Sequence, residues 1–262
     1  MGYGPIGSWV AEAISANASC FSLAALCVRD RQIEEVRSKH SRETLIATDV
    51  EEFLSADLDV VVEAAGQRAV IETAHRILAH GCDLQILSTG ALARVGLREE
   101  LREAALRSNV QIHIPAGALA GFRGLMTLRQ CGLTSVHYTS TKPSHAWANT
   151  PAATRFDLEH IDHAEVIFEG NAADAASQFP ANANLAAAVA LAGLGFEDTR
   201  VTLIADPSTE LNTGQVEAIS PIATMVVTMA GRPFAANPKT SRITGMSVLA
   251  ALENSHSAIC FI

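Results

Sequence analysis

Between residues 22 and 115, short apolar runs alternate with longer charged segments, and this rhythm constrains the fold more than any other feature of the chain. The run 22–28, S-L-A-A-L-C-V, has the apolar density of a strand buried on both faces. Charged residues 29–42 follow as loop and helix, 44–47 reads as a weak strand, and 49–54 as an acidic turn or short helix. The clearest strand, L-D-V-V-V-E-A-A-G at 58–66, ends in a loop glycine. Helix 69–79, strand 84–87, helix 97–107 and strand 110–114 complete a series that implies a parallel, doubly wound α/β sheet of Rossmann type.

Ahead of this series stands G-Y-G-P-I-G, residues 2–7. Three glycines at this spacing, opening a helix over 5–16, form the turn that lets a pyrophosphate approach the backbone. Gly2 permits the tight turn, Gly4 leaves room for phosphate, and Gly7 lets the helix lie close on the sheet; Pro5 suits a first helical position and Ile6 follows it. Such a motif normally follows a buried strand, yet only Met1 precedes it. The expectation is that Met1 is a mis-assigned or truncated start and that a chain extended by one strand would be more stable.

After Pro115 the pattern changes. A linker enters a helix within 117–132, and 133–141 alternates polar and apolar residues as an antiparallel strand with one wet face does. A polar stretch runs from 142 to 163. Strand 164–168, alanine-rich helices 172–178 and 184–194, and strands 200–205, 215–219 and 224–229 follow, an α+β arrangement. The expected domains are therefore 1–116 for a dinucleotide, 117–240 for substrate and catalysis, and a helix from 241 within 241–262 that returns to the first domain.

Composition narrows the class. The net charge is −9 with no run of Lys or Arg, which argues against nucleic acid or an anionic membrane as partner. The cysteines Cys20, Cys27, Cys82, Cys131 and Cys260 are scattered and include no C-x-x-C pair, so reduced thiols in a cytoplasmic protein are expected, without a disulfide framework or metal site. No apolar run reaches the ~18 residues of a membrane span.

Several residues carry candidate chemistry. Dinucleotide folds place an acid about 20 residues past the glycines, on the ribose hydroxyls, which here falls near V-R-D-R at 28–31. If Val28 holds that place, Arg29 and Arg31 accept a 2′-phosphate and the cofactor is NADP; if Asp30 takes it, the cofactor is NAD. Ala65 and Gly66, in the loop closing strand 58–66, are further cofactor candidates.

The ordered set G-Y-G-P-I-G (2–7), E-A-A-G (63–66), S-T-G-A-L (88–92), I-P-A-G-A-L-A-G (114–121), T-K-P (141–143) with Trp147, F-E-G-N-A-A-D-A-A (168–176), F-P-A-N-A-N (179–184), A-D-P (205–207) and N-P-K-T-S (237–241) resembles the L-aspartate dehydrogenase family over nearly the whole chain. The resemblance implies NAD(P)-dependent oxidation of L-aspartate to iminosuccinate, which hydrolyses to oxaloacetate and ammonia, or the reverse amination. It also implies a homo-oligomer, and it places Ala118 and Asn184 at the nicotinamide end of the cofactor. Asn237 is a further cofactor candidate, with capping of the last helix by Thr240 or Ser241 as the alternative.

One departure bears on catalysis. The family pattern after A-D-P is Asn, any residue, then a catalytic His; this chain reads Asn212-Thr213-Gly214. Glycine moves no proton, and a positioned acid–base group contributes about 10²–10⁴-fold in rate. Lys142 can bind a substrate carboxylate or accept a proton, or else be a surface lysine before a turn; His145 offers an imidazole, or else is solvated; Glu217 is a third candidate. The alternatives are an inactive dinucleotide-binding homologue, or a dehydrogenase for another small amino or oxo acid.

Overall fold

The computed structural model describes residues 1–16, 21–234 and 237–261, and the side chains of 237–240 lie outside that description, so Cys20 and the side chains of Asn237 and Thr240 are not described. The chain forms two compact units, Met1–Pro115 with Val248–Ala250, and Ala116–Ser247 with Ala251–Ile262.

The first unit runs α1 (Pro5–Ala16), β1 (Ala25–Cys27), α2 (Ile33–Lys39), β2 (Leu45–Ala47), α3 (Val50–Leu54), β3 (Val60–Glu63), α4 (Gln67–Ala79), β4 (Asp83–Ile86), α5 (Leu97–Ser108) and β5 (Ile112–His113). All its strand pairs are parallel, in two blocks, β1–β2 and β3–β4–β5. Met1 and Gly2 tie the blocks together: Gly2 N–H donates to Cys27 O at 2.9 Å, Ala64 N–H to Met1 O at 2.9 Å, and the Met1 nitrogen to Val62 O at 2.8 Å. Local signals explain the helix ends. Asp49 Oδ1 accepts from Glu51 and Glu52 N–H at 2.9 Å to cap α3, and α5 stops where Asn109 turns left-handed at φ 54°. On α4, Val70, Ala74, Ile77 and Leu78 recur at helical spacing and are the residues it buries.

The second unit runs α6 (Phe122–Gln130), β6 (Ser135–Lys142), β7 (Glu165–Asn171), α7 (Ala172–Gln178), α8 (Asn184–Ala192), β8 (Thr199–Ala205), β9 (Asn212–Ile219), β10 (Thr224–Gly231), β11 (Pro233–Phe234), β12 (Asn237–Ser241) and α9 (Ile243–His256). Five strands form a mixed sheet in the order β10–β9–β6–β8–β7. The strand expected at 133–141 alternates buried and less buried residues as anticipated, but it is central: it pairs antiparallel with β9 and parallel with β8. Helix α6 packs on β9 and α8, and α7 and α8 pack on β8. Small residues permit the close approach, since a β-carbon on Gly124 of α6 would stand 2.7 Å from Met225 Sδ, and α8 is buried continuously from Ala186 to Ala190.

Two expectations need correction. Ser241 does not cap the last helix: it ends β12, Arg242 takes the N-cap position, and no side chain caps there among the described residues, Thr240's lying outside them. Glu217 is not a substitute for the missing histidine, because the pleat of β9 buries Gly214 and Val216 on one face and exposes Gln215 and Glu217 on the other.

Candidate active site

In the first unit the three glycines have separable roles. Gly2 sits at φ 88°, and a β-carbon there would stand 2.7 Å from the carbonyl carbon and oxygen of Ala64. One on Gly7 would run into Gly2 O. These two positions are closed by the protein's own backbone. Gly4 differs, since a β-carbon there would meet nothing within 4 Å. The open backbone at Gly4, ahead of Pro5 and Ile6 at the start of α1, fits the approach of a dinucleotide pyrophosphate to a helix N-terminus.

The walls of this cradle are held by polar groups that no local pattern announces. Glu63, 1% exposed, accepts through Oε1 from Ala65 N–H at 2.7 Å, Gly66 N–H at 2.8 Å and Ser88 Oγ at 2.9 Å, and through Oε2 from Ser88 N–H at 3.0 Å. One carboxylate therefore fixes the loops after β3 and β4. Gln32 ties the glycine turn to the loop after β1: its Nε2 donates to Tyr3 O at 2.9 Å, and its Oε1 accepts from Arg29 N–H at 3.3 Å. Tyr3 Oη lies 2.9 Å from His40 Nε2, against which its ring stacks edge-on.

Val28 turns inward, into the cluster formed by Tyr3, Ala11, Leu26, Val36 and Ile46. Arg29, Asp30 and Arg31 are exposed, and no ion pair among the described residues involves either arginine.

In the second unit, the register brings Lys142, Asn212 and Gly214 to one end of the helix-covered face. Ser140 stands opposite Gly214, Thr141 opposite Thr213, and the strands end at Lys142 and Asn212. Lys142 is 8% exposed; its Nζ donates to Asn182 Oδ1 at 3.0 Å and lies 5.1 Å from the centre of the Trp147 ring. Trp147 is fixed in turn, donating from Nε1 to Ile204 O at 3.1 Å and meeting Phe179 edge to face. His145 is exposed while its neighbours Ser144, Ala146 and Trp147 are buried, so the short 3-10 turn Ser144–Trp147 directs it outward.

Beside Gly214 stands Tyr138. A β-carbon at 214 would lie 3.4 Å from Tyr138 Oη and 3.6 Å from Leu119 Cδ1. Burial pushes the phenol up to about 12, against a smaller downward pull from its hydrogen bond with Ser140, so it stays protonated at neutral pH. Ala118 precedes Leu119 in the turn before α6, and a β-carbon on Gly117 would reach within 3.0 Å of Leu185, next to Asn184 at the start of α8. The Ala118 and Asn184 segments are thus neighbours.

Sequence reasoning missed Glu63, Tyr138, Ser144 and Asn182 as site residues. Among the described residues there is no group of three or more His, Cys, Asp or Glu that could hold a metal ion, and no helix is long and apolar enough to cross a membrane.

Residues 2–115 match the family described as homoserine dehydrogenase, NAD binding domain, and residues 124–255 match aspartate dehydrogenase, C-terminal. The chain is 41% identical to an L-aspartate dehydrogenase of Ralstonia pickettii over 262 residues, covering 99% of this chain and 97% of that protein. It is 36% identical to an L-aspartate dehydrogenase of Acinetobacter baumannii, covering 97% and 96%. The crystal structure of aspartate dehydrogenase from Thermotoga maritima superposes with a TM-score of 0.75 at 26% identity, covering 100% of this chain and 97% of that one. An open glycine turn on a parallel sheet, a second sheet bearing the polar row from Lys142 to Gly214, and matches spanning both units place this chain in the aspartate dehydrogenase family.

Proposed function

We propose that this protein is an NAD(P)-dependent L-aspartate dehydrogenase. The reaction converts L-aspartate, water and NAD(P)+ to oxaloacetate, ammonium, NAD(P)H and a proton through iminosuccinate, or runs as the reverse amination. The observation that carries the reading is identity of 36–41% to proteins bearing that name over 97–99% of the chain. A nicotinamide dinucleotide bound at Gly2–Gly7 supplies the hydride acceptor. The chain's own residues bind and orient: Gly4 leaves backbone free for phosphate, Glu63 holds the loops of Ala65, Gly66 and Ser88, and Lys142 offers a cation to a substrate carboxylate. Val28 is buried, and Arg29 and Arg31 have no acid partner among the described residues, which supports NADP as the preferred cofactor.

Gly214 favours a second reading, a homologue that binds dinucleotide and turns over slowly or not at all. The test is purified protein with L-aspartate, or with oxaloacetate and ammonia, followed at the nicotinamide absorbance with each cofactor, alongside cofactor binding. Turnover establishes the first reading, and binding without turnover the second. Turnover confined to another 2-oxo acid and ammonia would move the assignment to that substrate.

The protein is further proposed to be cytoplasmic and a homo-oligomer. Exposed Ile219 and Val226, on the sheet face opposite the helices near the β10 edge, support the second of these. Sedimentation equilibrium decides it.

A further inference from the structure

Burying an ammonium group is costly, and the surroundings of Lys142 indicate what offsets it. An ammonium has only donors, so Asn182 must present Oδ1 to it, at 3.0 Å. The orientation is thereby fixed, and the other end of the amide, Nδ2, is left as a donor. Asn182 is 7% exposed, and Nδ2 has no partner among the described residues. Ser144, 9% exposed and two residues beyond Lys142, has a hydroxyl Oγ in the same condition. A buried donor left unpaired destabilises a fold, and these two, one on the amide that meets Lys142 and one two residues along the chain from that lysine, mark a place built for an acceptor. The chemistry of that acceptor follows from the set: an ammonium, an amide N–H and a hydroxyl together suit an anion with more than one oxygen.

We propose that Lys142, Asn182 and Ser144 form a carboxylate subsite, in which Asn182 Nδ2 and Ser144 Oγ donate to the oxygens of a substrate carboxylate whose charge is met by Lys142 Nζ. This rests on the dicarboxylic amino-acid reading above and deepens it by assigning Asn182 and Ser144 a role in substrate binding. Trp147 keeps the ammonium in place, its ring 5.1 Å from Nζ.

Succinate is the probe, because it has both carboxylates of a four-carbon substrate and no amino group to oxidise. It would be titrated into the cofactor-loaded full chain by calorimetry and by thermal melting, and tested as a competitor of L-aspartate. Asn182→Asp keeps the shape, removes the Nδ2 donor and sets a negative charge against Lys142. The expected result is an unliganded melting temperature no lower than that of the parent, succinate affinity weakened at least about tenfold, and KM for L-aspartate raised by a similar factor, with kcat within about threefold. Ser144→Ala, a smaller change, should weaken succinate by several-fold and serves if Asn182→Asp does not fold.

Absence of succinate binding by the parent, or equal binding by parent and variants, overturns the subsite. Succinate binding lost in the variants without any oxidation of L-aspartate would uphold the subsite and overturn the activity. Oxidation of L-aspartate at unchanged KM in the variants would do the reverse.

Discussion

The glycine turn of the first unit and the strand β9 of the second hold glycines for opposite reasons. At Gly2 and Gly7 the backbone itself excludes a side chain, whereas at Gly214 a β-carbon meets only ordinary contacts, at 3.4 Å and beyond. The shape of this turn is thus written into main-chain geometry, which a single substitution destroys. Proton transfer is the work of side chains, and the β6–β9 pairing runs unbroken through Ser140 and Gly214, so the strand keeps its register around a glycine here.

The sharpest way to break this contrast is to fill the second glycine. Gly214→His should fold normally and raise kcat for L-aspartate by about 10²–10⁴-fold, measured by steady-state kinetics; an unchanged kcat would mean that the strand has lost more than an imidazole. Next in size is Gly4→Val. No atom obstructs a β-carbon there, so the melting temperature should stay within about 2 °C, while cofactor affinity falls by about a hundredfold or more as the side chain enters the phosphate space. Glu63→Ala strips the acceptors from Ala65, Gly66 and Ser88 and should cost about 3 kcal/mol in denaturant unfolding, with Glu63→Gln costing less. The smallest effect is expected at the loop after β1. Reversing Arg29 and Arg31 to Glu should weaken NADP about tenfold and leave NAD nearly unchanged, read by fluorescence titration.

How far the sequence revealed this depends on the range of the force involved. The strand β3 was legible because Val60, Val61 and Val62 make a continuous apolar run, and β6 because one buried face imposes a period of two. Its central position was not legible, since pairing with β8 and β9 is a matter of contacts distant in sequence. The candidates Lys142, Asn212 and Gly214 came from the family resemblance, and the register does bring them to one end of the sheet. Asn182 was not: F-P-A-N-A-N offers two asparagines, and only the fold turns the first of them onto Lys142. Glu63 was hidden for a similar reason, as nothing local shows that its carboxylate spans two loops.

The alanine-rich helix α8 has a further consequence, for how this chain can drift. From Ala186 to Ala190 every residue is buried, so the helix has no outward side on which a larger residue could be carried. Each added methylene must displace a neighbour, at about 1–3 kcal/mol. A saturation library should therefore return almost nothing but alanine, glycine and serine at Ala186, Ala187 and Ala190. This segment fixes the size of its residues as strictly as an active site fixes their chemistry, although it takes part in no reaction.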